Sequence, residues 1–163
     1  MQRTKRTIPG LVLLAAIGLG VSAWISSTTD VPAAGKGAEA AAAAPSPVDD
    51  DLHHFMEYVF EPNYKRLQPA MAEKPVDKKA WKAIKGDALT LAECANLLLL
   101  REPAEKADAW RKLSVAVRTH GGELYQAARE SDYPAARKAY VTMLNQCNAC
   151  HQQFADGKHQ LQP

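Results

Sequence analysis

Cys147, Cys150 and His151 stand at C-x-x-C-H spacing in the run Cys147-Asn148-Ala149-Cys150-His151. Two thiols so spaced and followed by an imidazole are the attachment signature of c-type haem, with thioethers to two vinyl groups and the histidine on iron. The spacing has a physical reason: residues three and four apart share a helix face, so all three side chains meet the same flat object. Two other chemistries use these residue types. A redox C-x-x-C is expected where a strand runs into a helix, and nothing strand-like precedes Cys147. A structural zinc site needs a fourth ligand, usually from a second Cys/His pair, and the chain offers only Cys94 and scattered histidines.

Attachment of c-type haem takes place on the exported side in bacteria, which turns attention to the N-terminus. Arg3, Lys5 and Arg6 precede an almost wholly apolar run from Ile8 to Ile25, with the small-residue ending Val21-Ser22-Ala23. Basic start, apolar centre and small-residue end read as an export signal. The run also reaches the lower limit of a membrane span, so residues 8–25 are alternatively an uncleaved tether. Either form predicts a periplasmic domain.

Residues 1–25 are thus the signal or anchor, and 26–49 an Ala/Pro-rich linker with too little large apolar surface to offset ordering entropy. Residues 50–163 form one domain of about 110 residues, small enough for a covalently held cofactor to matter to its core. Charge excludes little else. The chain has 20 Lys+Arg and 18 Asp+Glu; removing Met1 to Ala23 leaves 17 basic against 18 acidic residues. No basic run with interleaved aromatics occurs, which argues against nucleic acid as a partner.

Apolar spacing in the domain is helical throughout, in four segments. The first, about Asp50 to Ala72, carries Leu52, Met56, Val59 or Phe60, Leu67 and Met71, and Pro62 is expected to kink or restart it. The second follows the cap Asp77 and extends to Arg101, with Trp81, Ile84, Ala88, Leu91, Ala95 and Leu98 as its stripe. The third is expected from Glu102-Pro103, with Trp110, Leu113, Val117, Leu124 and Ala128 inward and Gly121-Gly122 as a point of bending or close contact. The fourth is capped by Ser131 or Asp132, and Ala136, Tyr140, Met143, Cys147 and Cys150 lead directly into the motif. Short connections predict an all-α, antiparallel up-down-up-down four-helix bundle. That topology brings together Leu52 to Phe60, Leu91 to Leu99, Trp110 to Val117 and Met143 to Phe154.

A signal, one four-helix domain and C-x-x-C-H near the end of the last helix resemble the class II cytochromes c, the cytochrome c prime group and its low-spin relatives. The resemblance covers roughly Asp50 to Phe154. It implies Cys147 and Cys150 as the thioether cysteines, His151 as proximal ligand, and Phe154 at a common aromatic position. The chain departs at Ala155, where the family usually carries Arg or Lys beside a haem propionate; Lys158 is the nearest substitute.

In the family the residue facing iron comes from the first helix, and is methionine in low-spin members. Met56 is the matching residue here, and its thioether is a suitable soft ligand; the plainer reading makes it a core filler. His53 and His54 are rival ligands from the same turn. Cys94 reads as a small buried residue, and His120 and His159 as structural or surface residues. The resemblance then implies a periplasmic electron carrier, not an enzyme, with one covalent haem c ligated by His151 and Met56, serving periplasmic or membrane redox proteins. Its alternative is a five-coordinate haem binding nitric oxide or carbon monoxide. Dimerisation through the first two helices, known in the family, extends to an expected homodimer.

Overall fold

The computed structural model describes residues 44–163. The expected signal or anchor and most of the linker lie outside them. The described residues are all-helical, with no strand among them. No helix among them is long and apolar enough to cross a membrane. The first segment runs unbroken but changes pitch, through α1 (Leu52–Phe55), a π-helical stretch (Met56–Phe60) and α2 (Glu61–Ala72). It is followed by α3 (Lys78–Leu98), α4 (Ala107–Glu130) and α5 (Tyr133–Phe154).

The change of pitch answers Pro62. Proline has no N–H and its ring collides with the carbonyl four residues back. Instead of breaking, the chain widens by one residue just before it, and Glu61 N–H donates to the Met56 carbonyl, five residues back. Asn63, buried on α2, donates its side-chain amide to the Val59 carbonyl at 2.6 Å. Its oxygen accepts from Arg66 at 2.7 Å, and Arg66 in turn binds the largely buried Asp87 of α3 at 2.6 Å. The wide turn is therefore held by side chains as well as by the proline.

The caps follow the sequence closely. Asp77 accepts from Ala80 N–H at 2.7 Å and Asp132 from Ala135 N–H at 3.1 Å. Ser131 does not cap α5; it ends α4 in the left-handed region, at φ 58°. The α3–α4 connection differs from expectation. α3 stops at Leu98 rather than Arg101, its last carbonyls taken up by tight turns from Leu99, Leu100 and Arg101 N–H. α4 begins at Ala107, not at Glu102-Pro103. Arg111 ties back to both Glu102 and Asp108, and the Trp110 indole N–H donates to the Leu98 carbonyl at 2.8 Å. Those tertiary bonds fix the start of α4, where no side-chain cap exists.

Leu67 and Met71 of α2, Ile84 and Ala88 of α3, Leu124 and Ala128 of α4, and Ala136 and Tyr140 of α5 are fully buried in one core. The glycine pair of α4 divides into two roles. A Cβ on Gly121 would lie 3.1–3.3 Å from Ala92 atoms, backbone included, whereas a Cβ on Gly122 would meet nothing within 4 Å. Gly122→Ala is expected to stabilise the domain by about 0.5–1 kcal/mol through helix propensity. Gly121→Val should cost about 1–3 kcal/mol, because it pushes α3 and α4 apart. Urea unfolding of the two variants checks the opposite signs.

Candidate functional site

The inward stripes do not stay buried along their whole length. Leu52, Met56, Phe60, Leu113, Cys147 and Cys150 are half-buried. All six line one cavity of about 640 Å³, within the roughly 300–1,000 Å³ typical of cofactor sites. Each stretch expected to form a pocket contributes. Leu91 and Leu98 come from α3, Trp110 and Val117 from α4, and Met143, His151 and Phe154 from α5. Trp110 meets Phe154 edge to face at 5.1 Å, which closes the end of the wall next to the motif.

Helical spacing puts Cys147, Cys150 and His151 on the same wall. Burial pushes the Cys147 thiol up to about 12 and the Cys150 thiol up to about 11. Both cysteines are free thiols, and at neutral pH they are protonated. A redox C-x-x-C depends on the opposite shift, a thiol lowered toward neutrality, so the site is poorly suited to disulfide exchange. Burial also lowers the pKa of His151, against the raising effect of a 2.8 Å hydrogen bond from Nδ1–H to the His159 carbonyl. The bond assigns the proton to Nδ1 and leaves the Nε2 lone pair free. Among the described residues no group of three His, Cys, Asp or Glu could hold a bare metal ion. A haem asks for only one or two protein ligands.

Met56 lines the same cavity from the first helical segment, and the π turn explains how. In a straight helix, eleven residues and three turns would put Met56 in line with Leu67. The extra residue rotates it by roughly 100°, onto the side of Tyr64. Tyr64 lines the cavity; Leu67 and Met71 are in the core instead. The two rival histidines separate. His54 turns away, with Nδ1 3.0 Å from Asp49 and its ring stacked on Tyr58. His53 lines the cavity only at its rim, with 74% of its side chain exposed and Nε2 3.6 Å from Glu57.

The donors fit a haem, with one departure. No Lys or Arg lines the cavity, where the family resemblance asks for a cation. Ala155 occupies the wall and Lys158 sits 3.9 Å from Asp156, outside the lining. Besides the motif residues, the polar groups are His53, Glu57, Glu61 and Tyr64 on the first helical segment, Ser114 on α4, and His159 and Gln160 after α5. Ser114 Oγ is buried with no hydrogen-bond partner. The α4 side of the cavity, formed otherwise by Trp110, Leu113 and Val117, thus carries one hydroxyl free to meet a polar edge of a bound group.

The segment after α5 was invisible to helical periodicity. His159, Gln160 and Leu161 form part of the wall, and His159 is an exposed residue that also borders the site. Asp156-Gly157 carries the sequence signal for it: Gly157, at φ +72°, turns the chain back along the helix it has just left. His120 lies outside the cavity lining and pairs with Glu123 at 2.8 Å. Cys94 is half-buried on α3, its thiol pushed up by burial. No protein-family model, curated protein or solved structure matches the chain.

Proposed function

We propose that the chain is an exported c-type cytochrome of the class II kind, a one-electron carrier rather than an enzyme, with its helices in an antiparallel up-down-up-down bundle. Three contacts support that order. Trp110 near the start of α4 bonds Leu98 at the end of α3, Gly121 meets Ala92 midway along both helices, and Tyr133 at the start of α5 donates to the Met71 carbonyl of α2 at 3.0 Å. The observation that carries the functional reading is the cavity itself. Two protonated thiols, a neutral imidazole with a free Nε2 and a thioether line it, and the rest of its lining is mostly apolar.

Each of Cys147 and Cys150 would add across one vinyl group, sulfur bonding one carbon and the thiol hydrogen passing to the other, with no net oxidation. His151 Nε2 would ligate the iron, with its ring orientation held by Nδ1–H on the His159 carbonyl, and Met56 would supply its thioether as a second ligand. Haem so held supplies a one-electron iron couple whose potential is raised by methionine ligation. Leu91, Leu98, Val117 and Met143 give the cavity an apolar interior. The partners are periplasmic or membrane redox proteins, with the chain either released or tethered through residues 8–25. Homodimerisation remains part of the proposal through the family likeness.

Mass spectrometry and absorption spectra of the exported protein test this reading. The expected result is one covalent haem increment and a low-spin spectrum in both oxidation states. A purified chain with no covalent pigment, or a haem-loaded one in the cytoplasm with its N-terminus intact, would refute it. A high-spin protein that takes up nitric oxide or carbon monoxide unaided supports the five-coordinate alternative instead.

A further inference from the structure

We infer that the segment 158–162 is a strap that sets the proximal ligand, with Asn148 and Tyr64 as its positioning residues; the inference rests on the proposed ligation by His151. The segment is fastened at three places. Asn148, one of the two variable positions inside the motif, accepts from Leu161 N–H at 2.7 Å and donates to the Leu161 carbonyl at 2.9 Å. Tyr64 Oη donates to the Gln162 carbonyl at 2.9 Å and accepts from Gln162 N–H at 3.0 Å. Gln68 Nε2 adds a bond to the same carbonyl at 3.1 Å. Between the turn at Gly157 and these anchors, the His159 carbonyl is delivered to His151 Nδ1 at 2.8 Å.

His159 itself adopts the left-handed region, at φ 58°. That conformation is uncommon for a residue with a side chain and persists only where its surroundings hold it. Here it aims the carbonyl at the ligand's ring. A hydrogen bond from the outer nitrogen of a ligating imidazole fixes the tautomer and makes the ring a stronger donor, which favours ferric iron and lowers the potential. Asn148 therefore acts on iron at one remove, through the strap and the ring. Tyr64 and Gln68 stand on α2, in the same continuous helical run as Met56. One short segment accordingly links the helices that carry His151 and Met56.

The test uses haem-loaded Asn148→Ala and Tyr64→Phe proteins, the second lying outside the attachment motif in case the first does not mature. Both are expected to shift the reduction potential upward. Both should also speed exchange of the His151 ring N–H, followed by NMR in the ferrous protein, by about tenfold, as loss of one hydrogen bond of about 1–1.5 kcal/mol implies. A haem-loaded protein in which neither variant moves the potential or the exchange rate overturns the strap, even if its melting temperature falls, and leaves the haem reading intact. A wild-type chain that takes up no haem overturns the underlying reading instead.

Discussion

Replacing Met56 by Ala is expected to abolish the weak sulfur-to-iron charge-transfer band of the ferric protein and to open the iron to carbon monoxide and nitric oxide. Met56 lines the cavity, is half-buried, and reaches it because the π turn swings it to the Tyr64 side. Its loss should cost only about 1–2 kcal/mol of stability, less than the roughly 2–5 kcal/mol typical of a fully buried methionine. Met71 supplies the control. It is fully buried in the core and outside the cavity lining, so Met71→Ala should unfold far more easily while its spectrum stays unchanged. Visible spectra and thermal melts of both variants separate ligation from packing. A low-spin spectrum indifferent to Met56→Ala would point to His53, since His54 is held by Asp49. A wild-type protein already high-spin would make Met56 a wall residue.

The second large effect is expected from Cys147→Ser combined with Cys150→Ser. Acid-acetone should strip all pigment from the double variant, while wild-type protein retains it and each single variant keeps one thioether. Both thiols lie on the cavity wall and are protonated at neutral pH, so serine changes their reactivity more than their volume. If haem loss removes about 2–3 kcal/mol of binding-derived stability, a domain of this size should melt roughly 10–20 °C lower. Pigment that resists extraction from the double variant would contradict thioether attachment.

Much of this architecture was legible because it rests on local chemistry. The alternating steps of three and four from Trp81 to Leu98 give the buried stripe of α3, and Asp77 and Asp132 cap where their side chains can reach a free N–H. The four walls of the cavity followed from short connections and helical period. What escaped depends on bonds between distant residues. Glu102-Pro103 carries a plausible helix start, yet Trp110 on Leu98 and Arg111 on Glu102 move it to Ala107. The strap has no periodicity at all, and its anchors at Tyr64 and Asn148 are separated from it by 98 and 13 positions. Pro62 announced a disturbance but not its form, since a break, a bend and a widened turn all remove the same clash.

The widened turn has an arithmetical consequence for ancestry. A π turn absorbs one residue that a straight helix does not need, so Met56–Phe60 behaves as a single-residue insertion whose surplus has been taken up locally. Everything before it keeps its direction but is displaced by one in the count. A relative with a straight first helix, and the same side chains facing the same cavity, would therefore carry one residue fewer between its methionine and its counterpart of Asn63. Ungapped matching of the two chains would set Met56 against a neighbour of that methionine, and the shared cavity residue would be missed by one place.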